Sequence, residues 1–428
     1  MNKKVLIILY YWPPAGGPGV QRWLKFVKYL PEFGIEPIVF APSNPDYPII
    51  DKGLEREIQE NLKFYKLPIW EPYRYANLFG SKNKAKEISS GLITDRKKQG
   101  FIERLMLFIR GNMFIPDARK FWKKPAVNFL SKVIEEEQID TVISTGPPHS
   151  LHLIAKDLKK RFNINWIADF RDPWTKIGYH EDLKLTSTSR KKHLKLEQAV
   201  LDTADKIVTT SFTTQKDFES QTQTPVFCVT NGYDGAQIHE SELDEHFTIS
   251  HIGSLLTKRN PTVLWDVLEE IIIENKQFEE HFKLRLIGKV SEDVLQSMRY
   301  RALESHIENL GYLAHTKLID YQSKTQVLLL VEIDEEKTRG IIPGKLFEYL
   351  RANRPILAIG PKDWDVGVIL KQITGSPHFE YSHREAIKQQ ILQWFEAYLE
   401  KKLQVDHQEI SQFHRKDLTR KLAEIIKN

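Results

Sequence analysis

A lysine and a glutamate three positions apart at the mouth of a short helix can read an anion and a pair of hydroxyls together. Residues 339–350 spell such a mouth: Arg339-Gly340-Ile341-Ile342-Pro343-Gly344-Lys345-Leu346-Phe347-Glu348-Tyr349-Leu350. The run lies between two apolar stretches, 327–331 and 355–359, so the order reads strand, Gly/Pro loop, short helix, strand. Helix N-termini offer unpaired N–H groups and a partial positive charge, which attract anions. Pro343 and Gly344 shape the turn, and Lys345 adds a full charge for a phosphate. Glu348 faces the same side and can accept hydrogen bonds from two sugar hydroxyls. Such chemistry suits a nucleoside diphosphate. The competing reading is an ordinary strand–helix junction with a solvated Lys and Glu.

Other runs add to this set. In His251-Ile252-Gly253-Ser254-Leu255-Leu256-Thr257-Lys258-Arg259 a strand ends at Gly253 and two cations follow. The guanidinium fork of Arg259 matches phosphate oxygens and, with Lys345, makes a diphosphate clamp; a solvated Lys-Arg pair is the alternative. In the first half, Tyr10 to Arg22 follows the first apolar run and opens a helix. Gly16, Gly17 and Gly19 allow close backbone approach to a ligand, and Arg22, one turn into the helix, can reach a phosphate; a plain turn is the alternative. A dinucleotide fingerprint needs a third glycine where Arg22 stands and an acid after the second strand, where Ala41 and Pro42 stand, so NAD is disfavoured. Ser144-Thr145-Gly146-Pro147-Pro148-His149-Ser150 offers His149 as a base, a hydroxyl ligand or a capping residue. Asp169-Phe170-Arg171-Asp172-Pro173-Trp174 places two carboxylates around an arginine beside an aromatic ring. Arg171 pairs with one acid while the other orients sugar hydroxyls or acts as a base, or the whole is a structural ion pair. Asp172 and His149 are thus candidate catalytic side chains, and Asp169, Arg171 and Trp174 candidate acceptor contacts.

These residues need strands to carry them. Apolar runs at 5–9, 37–40, 62–67, 141–144, 166–169, 206–210 and 226–229 alternate with helical patterns at 20–30, 151–161 and 191–202. After the turn-rich 231–235 and the acidic 240–246, strands at 248–252, 283–287, 307–310, 327–331 and 355–359 alternate with helices at 263–274, 292–303 and 345–351, and the chain closes with helices near 382–401 and 408–426. The expectation is two doubly wound α/β domains, 1–238 and 239–405, with a last helical segment, 406–428, crossing back. Ligands of such sheets bind beyond the strands' carboxyl ends, so the cleft between the domains is the expected site.

Composition narrows the class. The chain has 428 residues, 41% hydrophobic and 28% charged, with net charge +5. That is a globular, two-domain profile open to an anionic ligand. One cysteine, Cys228, precludes an intramolecular disulfide and points to a reducing compartment; the 14 histidines show no metal-binding spacing. The apolar start, 5–11, runs into Trp12-Pro13-Pro14 and reads as a strand rather than a signal peptide, and no run approaches the ~18 apolar residues of a membrane span. A cytoplasmic protein is expected. Residues 99–128 mix basic and aromatic side chains and read either as a surface that lies on the inner face of an anionic membrane or as a core helix with a charged outer side. Nucleic acid is the weaker partner, because no recognised module is present.

Taken in order, Gly16-Gly17-x-Gly19, Asn231-Gly232, 253–261, Leu286-Ile287-Gly288, Leu310-Gly311-Tyr312 and 343–349 resemble the retaining glycosyltransferases of family 4, which have the GT-B fold, over nearly the whole chain. Residues 115–122 and Asp169-x-Arg171-Asp172-x-Trp174 are similar to the branch that builds bacterial surface polysaccharides. The resemblance implies sugar transfer from a nucleotide-sugar, with retained configuration, to a glycan or lipid-linked acceptor, without a cofactor or required metal. It gives Arg259 and Lys345 to the diphosphate, Glu348 to the ribose, and Gly16, Gly17, Gly19, Asn231 and Gly253 to the donor side. Two departures stand out: Gly340 occupies the place of the family's first glutamate, and Arg171 falls where its usual histidine would. Other readings are a GT-B epimerase or phosphorylase and a non-catalytic sugar-nucleotide-binding subunit.

Overall fold

The computed structural model describes residues 2–72, 101–176, 183–236, 238, 242–313, 315–372, 378–405, 407 and 410–428. Gln99 and Gly100 of the basic segment 99–128 lie outside the described residues. The chain forms two compact units: Met1–Thr230 with Arg415–Asn428, and Asn231–His414.

The first domain is built on seven strands: β1 Lys3–Ile8, β2 Ile35–Pro42, β3 Lys63–Leu67, β4 Thr141–Gly146, β5 Asn165–Phe170, β6 Lys206–Thr209 and β7 Val226–Cys228. They pair in parallel in the order β3-β2-β1-β4-β5-β6-β7. A parallel sheet is covered on both faces, so its central strands are near-continuous apolar runs. Val5, Leu6, Ile7 and Ile8 of β1 are fully buried, and each such side chain contributes roughly 1.5–3 kcal/mol.

The second domain repeats the plan with β8 Phe247–Ile252, β9 Phe282–Ile287, β10 Ile307–Gly311, β11 Val327–Val331, β12 Ile356–Gly360 and β13 His378–Glu380, ordered β10-β9-β8-β11-β12-β13. Both are doubly wound, Rossmann-like sheets. The winding reverses between β1 and β4 in one and between β8 and β11 in the other, the points beside which such sheets bind ligands.

The turn after Thr230 is tied into the second domain: Tyr233 N–H donates to Phe413 O at 3.1 Å and Ile238 N–H to Arg351 O at 3.0 Å. The first unit therefore ends at Thr230, before the turn-rich 231–235, where the sequence reading expected it to run to 238. The last helix, Arg415–Lys427, belongs to the first domain, where Leu418, Leu422, Ala423 and Ile426 join its core. Lys3 Nζ donates to Ile426 O at 3.2 Å and Lys206 Nζ to Ile425 O at 2.7 Å, so lysines receive the helix's last carbonyls.

The expected helix 292–303 is two pieces, Glu292–Met298 and the 3₁₀ turn Ala302–His306. Tyr300 between them is left-handed, φ 64°, which ends a right-handed helix. Strand β13 and the helices Phe212–Glu219, Lys276–His281, His315–Lys324 and Asp365–Leu370 were not anticipated; most are too short to display a period.

Candidate functional site

In the second domain the strand ends come first. Gly253 follows β8 with φ 125° and Gly288 follows β9 with φ 121°, conformations that favour glycine. Gly253 N–H donates to Ile287 O at 2.7 Å, and Gly288 N–H to Gly311 O at 2.7 Å. A Cβ on Gly288 would lie 2.4 Å from Gly253 O, so the three strand ends form a floor of bare backbone.

Lys345 begins the helix Lys345–Arg351 and stands over this floor; a Cβ on Gly253 would come within 3.0 Å of its Nζ. Its ammonium lies 3.3 Å from His251 Nε2, and His251 Nδ1 lies 3.1 Å from Leu329 O. A carbonyl only accepts, so Nδ1 carries the imidazole proton and Nε2 is left to accept from the lysine. Burial, then the Lys345 charge, hold His251 well below its ordinary range, in the neutral form this arrangement needs. Burial and the Arg259 charge bring Lys345 down to about 8, against the opposing pull of Glu332 and Glu348.

Arg259 is not the loose cation its sequence context suggests. It closes the short turn Thr257–Arg259 and forks onto Glu332, with Nε to Oε1 at 2.9 Å and Nη2 to Oε2 at 3.1 Å. The Glu332 side chain is completely buried whereas that of Arg259 is 31% exposed. Burying a carboxylate is expensive unless it is paired, and Ile333 N–H adds a third bond to it at 2.9 Å. Arg259, Glu332 and Lys345 together therefore carry one net positive charge, not two. Of the acids near Gly340, Glu332 is spent on Arg259, Glu335 pairs with Lys337 at 2.8 Å and Glu336 with Arg339 at 2.9 Å.

Glu348, half-buried one turn into the helix, accepts from Gln322 Nε2 at 2.9 Å, which fixes its carboxylate. Pro343 and Gly344 accept the first intrahelical bonds, from Leu346 and Phe347, and a Cβ on Gly344 would meet nothing within 4 Å. The helix has only 7 residues, so its dipole is weak and attraction for an anion rests mainly on Lys345. Asn231 is half-buried at the first position of this domain.

The first domain revises more of the expectations. Arg22 and Asp169 pair with each other in the interior, at 3.1 Å and with side chains only 2% and 1% exposed. Arg22 also donates to Thr230 O at 2.8 Å, while Asp169 accepts from Trp23 Nε1 at 2.9 Å and Thr145 Oγ1 at 2.7 Å. Neither is presented to a phosphate or an acceptor; they tie the first helix to β4 and β5. Trp174 is likewise a core residue. Its backbone N–H donates to Glu197 Oε1 at 3.1 Å, its indole to His193 Nδ1 at 3.0 Å, and its ring stacks on buried His149, centroids 4.9 Å apart.

His149 makes no capping bond to helix Ser150–Arg161; Asp117 does, accepting from Ser150 N at 2.9 Å and Ser150 Oγ at 2.8 Å. The segment read either as a membrane surface or as a core helix with a charged outer side thus has an inward part, with Ile115, Ala118, Arg119 and Trp122 buried. Leu105, Phe108, Met113 and Phe121 are exposed, the last with Lys120 Nζ 5.1 Å from its ring.

Two first-domain features keep an open chemistry. Asp172 is exposed, while desolvation by the protein around it pushes its carboxyl up and the Arg171 guanidinium pulls it down. Arg171 is half-buried and donates to Pro147 O. Its guanidinium lies where a side chain on residue 19 would start: a Cβ on Gly19 would sit 1.6 Å from Nη1. Gly19 therefore makes room for Arg171. Gly16 packs under Ile49, with its N–H donating to Ile49 O at 3.0 Å, and Gly17, φ 108°, turns the chain into helix Pro18–Tyr29.

His251 and Gln322 were missed by the sequence reading, and Glu332, like Glu335 and Glu336, entered it only as a substitute for the acid that Gly340 replaces. The signal was a histidine inside an apolar strand and an acid directly after one, both costly unless partnered.

No protein-family model matches this chain, and no curated protein matches it. Solved structures do. A glycosyltransferase from Rickettsia africae ESF-5 matches with TM-score 0.59 and 15% identity over 100% of this chain and 98% of that one. Anabaena HepE in complex with UDP matches at 0.60 and 12% over 99% of both chains. S. aureus TarM, in complex with UDP, α-GlcNAc-glycerol and fondaparinux, matches at 0.58 and 12% over 100% of both. At these identities the likeness is one of fold. The chain has two parallel-sheet, Rossmann-like domains, the GT-B fold.

Proposed function

We propose that this protein is a glycosyltransferase that moves a sugar from a nucleotide-sugar to a glycan or lipid-linked acceptor, with retained configuration, in surface-polysaccharide synthesis. The observation that carries the reading is the convergence of Lys345, the Arg259–Glu332 fork and Glu348 beside the winding reversal of the second sheet. The bound UDP of HepE and of TarM supports a nucleoside diphosphate there.

In this reading Lys345 and the N–H groups of Arg259 not used by Glu332 meet the diphosphate, and Glu348 accepts from the ribose hydroxyls. The acceptor hydroxyl attacks the anomeric carbon, the bond from that carbon to the diphosphate oxygen breaks, and the acceptor proton passes to the departing phosphate. Cations fixed in advance stabilise the charge that develops on the leaving group without reorganising. Asp172 is the exposed first-domain carboxylate assigned to the acceptor, steadied by Arg171.

Thermal shift against UDP-, GDP-, ADP- and TDP-sugars tests the donor class. One nucleotide should raise Tm in proportion to ln(1 + [L]/Kd). Lys345→Ala should abolish that shift and cut transfer at least a hundredfold, the scale of losing one preorganised donor to a developing anion. A full shift in Lys345→Ala removes the site from the second domain. A shift without transfer to any acceptor supports a non-catalytic sugar-nucleotide-binding subunit instead.

A further inference from the structure

His251 is entirely buried in β8, in a strand that otherwise needs no imidazole. With its proton on Nδ1, His251 donates to Leu329 O on the neighbouring β11; the Ser254 carbonyl also bears on the ring, and the Nε2 lone pair is directed at the lysine. That lone pair meets the Lys345 ammonium at 3.3 Å, across the glycine floor of Gly253. We propose that His251 is a positioning residue, a neutral acceptor that holds the Lys345 side chain over the strand ends in the place where a donor diphosphate is met. The inference rests on the diphosphate reading above and adds to it the group that aims the cation.

The physical logic is one of orientation. A free lysine has four rotatable bonds and loses much rotamer entropy on being fixed. Glu332 is hydrogen-bonded by Arg259 and Glu348 by Gln322, so both carboxylates attract the ammonium through space while their oxygens are held by other donors. A neutral imidazole accepts one hydrogen bond and leaves the charge and two N–H donors for a ligand. A carboxylate in its place would neutralise the charge and weaken the site. The groups facing Lys345 are His251, Arg259, Glu332 and Glu348, and among them His251 alone orients without adding charge.

Competitive acylation of Lys345, read by peptide mass spectrometry across pH 6–10, measures this directly. His251→Asn keeps a donor for Leu329 O and deletes the acceptor that reaches Lys345; His251→Gln extends an amide oxygen to the Nε2 position. In the wild type the labelling midpoint should stand near 8. His251→Asn should lower it by about one pH unit, the scale of losing one hydrogen bond to a charged group. His251→Gln should return it toward the wild-type value. UDP binding at pH 7.5 should weaken about tenfold in the Asn variant and recover in the Gln variant, with Tm near the wild type in both. A midpoint in His251→Asn equal to the wild type overturns the proposal. If that variant does not fold, His251→Gln decides, since a large fall in its midpoint overturns the proposal as well. The diphosphate reading fails separately: a wild-type Lys345 that none of UDP, GDP, ADP or TDP protects from acylation removes the ligand, even if the His251–Lys345 coupling appears in the midpoints.

Discussion

Arg22 and Arg259 both follow glycine-bearing loops at strand ends, and burial gives them opposite uses. Arg22 is enclosed with Asp169 and has Thr230 O as a further partner, so every contact it makes is internal. Arg259 is forked onto a buried acid yet keeps 31% of its side chain open, which leaves guanidinium N–H groups for a ligand. The difference is measurable. Asp169→Ala strands a buried guanidinium and should cost about 3–5 kcal/mol in urea unfolding while leaving nucleotide affinity unchanged in the folded fraction. A loss under about 1 kcal/mol would show that Arg22 finds water, contrary to its enclosure. Lys345 is the residue whose protonation matters near neutral pH. An anion binds its ammonium form, so nucleotide affinity should fall as pH rises through about 8 and level off below it.

Among the elements, the loops after strands carry the chemistry, and the helices that follow them are set by contacts distant in sequence. Helix Ser150–Arg161 takes its cap from Asp117, 33 positions earlier. Asp117→Ala loses both bonds from Ser150 and the one from Arg119 N–H, which should cost about 1–2 kcal/mol in chemical denaturation, and restoring an acceptor with Asp117→Asn should recover most of it. A basic, aromatic segment around this aspartate looks like a surface in one dimension because its charges are conspicuous. In the fold its Arg119 and Trp122 turn inward, since Glu71 and Tyr10 offer the arginine partners at 3.2 Å and 3.1 Å. The Gly19–Arg171 fit is of the same kind: a glycine that reads as a ligand approach serves an arginine from β5's end.

For the whole molecule, the chain leaves its first domain after Thr230 and returns at Arg415, so the last helix is part of a core built mostly by the first half. Leu422→Ala should destabilise that domain by about 2–5 kcal/mol, seen as faster amide exchange in β1 and β4, with the second domain's strands unchanged. Equal loosening of both would mean that the helix is not confined to one core. The doubly wound, two-domain plan was legible in the sequence because strands buried on both faces must be apolar and helices must show one apolar face, and both patterns are local. The loop that holds Gly253 and Arg259 and the loop that leads into Lys345 and Glu348 were legible for the same reason: each begins at the end of such a strand. Which charges stay available is decided by partners far along the chain. Glu332 meets Arg259 across 73 positions and Asp169 meets Arg22 across 147. No local pattern encodes those meetings. The sequence by itself determined the two sheets and the loops beside their winding reversals; the tertiary structure alone decided that Arg22 and Asp169 cancel in the core while Arg259 is matched by Glu332 and Lys345 rests against a buried histidine.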